Sequence, residues 1–236
     1  MNFPVTILGI AGPSAAGKST LASMIAKQRG CAGTTVISLD WYYRDLAHLT
    51  EEERSRYIFD HPDAIDGELL SSHLEQLVGG KEVIAPGYDF SSHSRISGAR
   101  FEAQPLVVVE GFLLLCFESV RRWLDASVFV NLSREARLSR RIHRDILDRG
   151  RSRESVARQF EAEVIPGEDR FVLPSARHAD LIVSNDGGPA DLLARVCGHD
   201  WSPRLSSLLG GIVLPPAVAE KSIDGENPEV IANGSL

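Results

Sequence analysis

Cysteine is scarce in this sequence. Only Cys31, Cys116 and Cys197 occur among 236 residues, in no metal-binding spacing and no even-numbered framework. That excludes a disulfide-stapled scaffold or a zinc module and fits a reducing cytosol. Apolar runs of membrane-span length are missing, as is a signal-peptide pattern at the N-terminus, so the expectation is a cytoplasmic protein with no membrane partner. A basic excess is missing too: the net charge is -7 and the sequence pI about 5.5, which argues against a nucleic-acid partner. There is no internal repeat. The dinucleotide fingerprint G-x-G-x-x-G is also lacking, because Gly9, Gly12 and Gly17 have the wrong spacing. What remains is a chain that is 43% hydrophobic and 24% charged, enough for one sizeable core with a lid.

One stretch organises the rest. Gly12-Pro13-Ser14-Ala15-Ala16-Gly17-Lys18-Ser19, followed by Thr20, fits G-x-x-x-x-G-K-[ST]. Glycines at both ends let the backbone turn and aim several N–H groups at one point, at a helix N-terminus that favours a di- or triphosphate. Lys18 can reach the outer phosphates, and Ser19 can place its hydroxyl on Mg²⁺. Residues 5–10 read as a buried strand before the loop and 21–27 as a helix after it. A nucleoside triphosphate ligand follows. The N-K-x-D and D-x-x-G patterns of a GTPase switch are absent, which disfavours a switch or an ATP-dependent binding module.

Further strands are expected at 34–39, 106–109, 127–132 and 181–183, the apolar runs without alternation suiting parallel strands buried on both faces. With helices between them they imply an α/β fold: a doubly wound parallel sheet with flanking helices. In such sheets the ligand crevice lies at the carboxyl ends of the strands. That is where Asp40 and Glu110 fall: Asp40 as a reacting group or, equally, an N-cap, and Glu110 as a Walker-B-like acid beside Mg²⁺. Thr50 to Glu53 looks like a helix start, and 59–66 like an exposed loop capping a helix over 67–77. Residues 81–104 read as an irregular hairpin, where Tyr88, Phe90 and His93 can line a pocket for a flat ring; the plainer reading is a small satellite core with a surface histidine. Between Ser133 and Gly150 a helix is expected with Arg137, Arg141 and Arg144 on one face and Leu138, Ile142 and Ile146 on the other. With Arg149 and Arg151 flanking Gly150, it suits a lid over phosphates within 133–160; a solvated face paired with Glu135, Asp145 and Asp148 is the plainer reading. Val164 to Gly167 should break a helix, 190–196 should form one more, and 215–236 reads as a disordered tail. One P-loop domain over 1–214 is the resulting expectation.

Taken together, several segments resemble the uridine kinase (uridine–cytidine kinase) family of P-loop kinases over about residues 5–187. They are the loop at 12–20, Asp40-Trp41-Tyr42-Tyr43-Arg44-Asp45-Leu46, Phe59-Asp60-His61-Pro62-Asp63-Ala64, Tyr88-Asp89-Phe90 with His93-Ser94-Arg95, Glu110-Gly111, and the arginine-rich run from Arg137 to Arg151. The resemblance implies phosphorylation of the 5′-hydroxyl of a pyrimidine ribonucleoside by ATP or GTP with Mg²⁺, as in pyrimidine salvage. It implies that Asp40 accepts the hydroxyl proton near the metal, and that Tyr43 lies beside the nucleoside. Phe59 would pack on the base, Asp60 would bind the ribose hydroxyls, and Tyr88 and His93 would read the base edge. Arg141 and Gln159 would add ribose contacts, and Arg144, Arg149 and Arg151 would stand near the phosphates and nucleoside. A homo-oligomer, a tetramer in the family, is an assembly to be tested. The competing acceptor is another small alcohol, as in phosphoribulokinase-, pantothenate- or nicotinamide-riboside-kinase-like enzymes.

Overall fold

The computed structural model describes residues 4–29, 33–210 and 212. Most of the turn around 30–33, with Cys31, and the segment 215–236 lie outside the described residues.

In chain order the elements are β1 (Thr6–Ala11), α1 (Lys18–Gln28), β2 (Thr34–Ser38), α2 (Glu51–Ser55), α3 (Gly67–Val78), β3 (Val83–Asp89), β4 (Ser94–Phe101) and β5 (Leu106–Gly111). Then follow α4 (Glu118–Arg121), β6 (Ala126–Asn131), α5 (Arg134–Arg149), α6 (starting at Arg153–Gln159), β7 (Leu181–Ser184), α7 (Gly188–Cys197) and α8 (Pro203–Leu209). Five strands form one parallel sheet in the order β2-β5-β1-β6-β7. Successive residues feed opposite faces: Ile7 and Val107 enter one core, Leu8 and Val108 the other. This two-sided burial is why the strands are apolar without alternation.

The expected hairpin is β3 paired antiparallel with β4, with a register shift between Ala85 and Gly87. A Cβ on Gly98 would lie 1.7 Å from the Ala85 carbonyl oxygen, so the two backbones touch at the bulge. The hairpin is held to the sheet by Trp41 stacked on Phe101, centroids 5.4 Å apart. Arg95 adds hydrogen bonds from Nε to the Tyr43 carbonyl at 2.9 Å and from Nη2 to Asp66 at 3.0 Å. Thr50 and Glu53 form the capping box of α2, and Asp66 caps α3.

One expectation is overturned here. Val164 to Gly167 does not break the helix. From Arg153 the chain stays helical to His178, through widened π-type turns at Phe160–Val164 and Glu168–Val172. Pro166 and Pro174 each follow one of these turns. A π turn shifts the hydrogen-bond ladder by one residue, so a missing proline N–H need not strand a carbonyl.

Candidate active site

The sheet order puts three chemical groups side by side. β5 lies between β1 and β2, with Ile10 opposite Glu110 and Ser38 opposite Glu110. The loop after β1, the acid closing β5 and Asp40 just past β2 therefore meet at one edge, the carboxyl end of the strands.

In the loop, Gly12 has φ 136°, and a Cβ there would come within 2.1 Å of the Val130 carbonyl oxygen. Gly17, at φ 109°, opens α1, and its Cβ would lie 2.4 Å from Asn185 Nδ2. Only glycine suits both the conformation and the space. Ala15 also has a positive φ of 63°, a strained geometry of the kind found at functional loops. Lys18 is buried, and its Nζ donates to the Pro13 carbonyl at 2.9 Å. Burial lowers its pKa, while Glu110 and Asp40 pull it back up. Ser14, Ala15, Gly17, Lys18, Ser19 and Thr20 line one wall of a cavity of about 480 Å³ that also touches Asp40, Glu110, Arg140 and Arg144. Gly12 and the buried Ala16 shape the loop without lining the cavity.

Glu110 accepts a hydrogen bond from Ser38 Oγ at 2.9 Å. Its carboxyl is pushed up by burial first and by the Asp40 charge second; Lys18, Ser38 and Ser19 pull it down. A buried carboxylate facing a second one, with a serine hydroxyl beside it, fits a divalent cation. Among the described residues no cluster of three or more His, Cys, Asp or Glu could hold a metal alone. Mg²⁺ needs no such cage when phosphates and water complete its shell.

A second cavity, of about 560 Å³, adjoins the first and shares Ser14, Asp40, Phe112 and Arg144 with it. Of the residues expected around an acceptor, it is lined by Tyr43, Phe59, Asp60, Phe90, His93, Arg141, Arg151 and Gln159. Phe59 and His93 stack at 4.5 Å. His93 Nδ1 is buried without a hydrogen-bond partner among the described residues, on a backbone at φ 53°. Asp60 is pushed up to about 6, by burial first, with Arg141 opposing and Glu163 and Asp40 adding. Behind it sits Gly167, whose Cβ would be 2.7 Å from both Asp60 Cβ and the Asp60 carbonyl oxygen.

Tyr88 does not line this cavity. It backs Tyr43, ring centroids 5.2 Å apart, with its hydroxyl buried and unpartnered among the described residues. Alternation along β3 turns it inward, behind the residue that meets the cavity. The side chain of Arg149 lies outside the described residues.

The arginine helix also departs from expectation. Part of its charged face points in and the far end of its apolar stripe points out: Arg137 is 1% exposed, whereas Ile146 is 42% exposed, with Ile142 still buried. Arg137 is no lid cation. It forks onto buried Glu168 at 2.6 and 2.7 Å and donates to the Leu132 carbonyl at 2.9 Å. A buried acid on α6 is what turns the helix this way. One turn on, Arg141 Nη1 donates to Ser14 Oγ at 3.1 Å. Arg141, Arg144 and Arg151 gather around fully buried Asp145, at 3.7, 2.9 and 3.5 Å. Arg151 also donates to Gln159 at 2.6 Å.

Sequence reasoning missed Glu168, the anchoring role of Asp145, and Asn185. Asn185 Nδ2 donates to the Ala16 carbonyl at 2.7 Å and so fixes the phosphate loop from the end of β7. Its place just past a strand end was the available signal.

A glycine loop opening a helix at the strand ends, an aspartate where two cavities meet, and a cationic helix over both suit a P-loop kinase, a phosphotransferase acting on an alcohol. The comparisons narrow this. The chain matches the Phosphoribulokinase / Uridine kinase family over residues 7–188, and it belongs to that family. It is 42% identical over 188 residues to a uridine kinase from Chloroflexus aggregans, covering 79% of this chain and 90% of that one. To a uridine kinase from Aliivibrio salmonicida it is 43% identical over 191 residues, covering 79% and 89%. Among solved structures, a putative fructose transport system kinase from Silicibacter sp. TM1040 superposes with TM-score 0.61 at 22% identity, covering 77% of this chain and 91% of that one; it supports the fold. Among the described residues no helix is long and apolar enough to cross a membrane.

Proposed function

We propose that this kinase transfers the terminal phosphoryl group of ATP or GTP to the 5′-hydroxyl of uridine, cytidine or both, a pyrimidine salvage reaction. The observation that carries the reading is the position of Asp40, on the shared wall of two cavities, one lined by the glycine loop with Lys18 and one lined by aromatic rings and Asp60. Curated relatives named uridine kinase support the choice of acceptor.

In this reading the loop amides and Lys18 grip the donor phosphates, while Arg144, present in both cavities, spans donor and acceptor. Asp40 accepts the proton of the 5′-hydroxyl as that oxygen attacks the terminal phosphorus and the bond to the bridging oxygen breaks. Ser19, Asp40 and Glu110 would hold Mg²⁺, which supplies charge neutralisation at the phosphates. Asp60, ionised above about pH 6, accepts hydrogen bonds from the ribose hydroxyls, with Arg141 and Gln159 beside it. A buried acceptor left unpaired by a missing hydroxyl penalises deoxyribose. Phe59, Phe90 and Tyr43 supply ring surface, and His93 Nδ1 offers its unpaired nitrogen to the base edge.

The test is an acceptor panel with one donor, Mg-ATP. Turnover is expected with uridine and cytidine, and at least tenfold lower kcat/KM with deoxyuridine. Turnover of a sugar phosphate, pantothenate or nicotinamide riboside in place of both ribonucleosides would overturn the reading.

A further inference from the structure

A third hollow, of about 360 Å³, lies away from both cavities described above, between α4 and the last turns of the long α6 helix. Arg121, Arg170, Arg177 and His178 line it, against a single acid, Glu118. This concentration of positive charge stands out in a chain of net charge -7. Several arginines elsewhere, Arg95, Arg134, Arg137, Arg141, Arg144 and Arg151, pair with carboxylates. Among the described residues Arg121, Arg170 and Arg177 form no ion pair with any acid.

Their known contacts leave donors free. Arg121 gives one N–H to the Leu115 carbonyl at 2.7 Å, Arg177 Nε meets His178 Nε2 at 3.1 Å, and Arg170 lies over the Phe171 ring at 5.1 Å. A guanidinium carries five N–H donors, so each keeps part of its fork for a ligand. The His178 imidazole is held below its ordinary range by desolvation and by Arg121 and Arg177, with Glu118 opposing. The floor is apolar, with Phe171 and Pro174 beside Cys116. The Cys116 thiol is raised to about 11, mainly by burial, so it is neutral at physiological pH and adds no charge.

We propose that this hollow binds a dianionic phosphate group, as inorganic phosphate or as the phosphate of a small phosphomonoester, held by Arg121, Arg170 and Arg177. Forked guanidiniums match phosphate oxygens in geometry as well as charge. The site also touches the acceptor segment. Pro62 lines it, two residues after Asp60, and the Phe171 ring packs edge-on against His61 at 4.6 Å. An anion that draws Arg170 off Phe171 thus acts on the wall that carries Phe59 and Asp60, and acceptor affinity is the property it changes.

The phosphate loop is a competing anion site, so the titration is run on the full chain saturated with a non-hydrolysable ATP analogue and Mg²⁺. Inorganic phosphate and phenyl phosphate are titrated separately by calorimetry. One further equivalent is expected to bind, at least fivefold more weakly in Arg170→Ala/Arg177→Ala. Equal affinity for the two ligands assigns the site to the phosphate group alone, and tighter phenyl phosphate binding adds the Phe171 and Pro174 floor. Arg121→Gln, which keeps a donor for the Leu115 carbonyl, serves as a second variant with the same expected loss. Absence of the extra equivalent, or unchanged binding in both variants, overturns the site. At saturating ATP the ligand should shift the acceptor KM at least twofold in the parent and not in the double variant. A KM that stays constant in the parent overturns the link to the acceptor wall.

Discussion

Two carboxylates carry the residue-scale argument. Asp40 sits where the two cavities join, and the proton-acceptor role proposed for it predicts the behaviour of Asp40→Asn. The amide keeps the shape and loses the base, so turnover should fall by about 10²–10⁴-fold while ATP affinity stays within a few-fold; near-normal kcat would remove Asp40 from that role. Asp60 is the second. Burial raises its carboxyl to about 6, so acceptor KM should rise as pH falls through that value. The sign for stability is the reverse of the usual carboxylate case. Between the ordinary aspartate range and about pH 6 the native state holds this proton more tightly than the unfolded chain, so the contribution of Asp60 to stability declines as pH rises through that window. Asp60→Asn should therefore raise stability at pH 8, by on the order of 1–2 kcal/mol, while raising acceptor KM at least tenfold. Denaturant titration with acceptor kinetics tests both, and a destabilised variant with normal KM would contradict them. The strand-end rule put Asp40 and Glu110 at the crevice from sequence, where both do line the first cavity, but left an N-cap role for Asp40 equally open. Tyr88 shows where that kind of reading stops: its neighbourhood in the chain is the right one, but its ring points behind Tyr43.

Among the elements, α5 and α6 decide how the cations are presented. The sequence showed the 3.6-residue spacing of Arg137, Arg141 and Arg144, but not which way the face would turn. That depended on Glu168, 31 residues away from Arg137, and on buried Asp145. Pro166 misled for a related reason, since a single proline is a break only while the helix keeps its regular ladder. The Arg137–Glu168 pair is buried on both sides, so Glu168→Gln leaves a charge without its partner and should cost about 3–5 kcal/mol. Arg137→Met/Glu168→Leu should recover much of that, because an apolar pair removes the stranded charge. Arg137 also reaches the Ser14 carbonyl at 3.5 Å, so the double variant should remain slower than the parent even where its stability returns. A Glu168→Gln protein as stable as the parent in urea would sink this account.

At the scale of the whole molecule the fold was the most readable part. All five strands of the sheet lie within one residue or so of the apolar runs that announced them, because burial on two faces leaves little freedom in residue choice. The joints between distant segments were not readable. Asn185 grips the loop across 169 residues, and no local pattern announces such a contact. The core closes at its carboxyl side with Leu205, Leu209 and Ile212, all buried, and Arg29 and Arg204 donate to the Leu208 and Pro4 carbonyls. A chain ending at residue 214 keeps Leu205, Leu209 and Ile212 and should accordingly hold its melting temperature within about 2 °C and its turnover within a factor of two. A large loss of either, measured by calorimetry and uridine turnover, would give the last 22 residues a structural part. One consequence reaches across the entire enzyme. Three guanidiniums share the single carboxylate of Asp145, and those three between them look onto both cavities. With donor and acceptor placed as proposed, they are yoked: a displacement of that one carboxylate would loosen the hold on both reactants together.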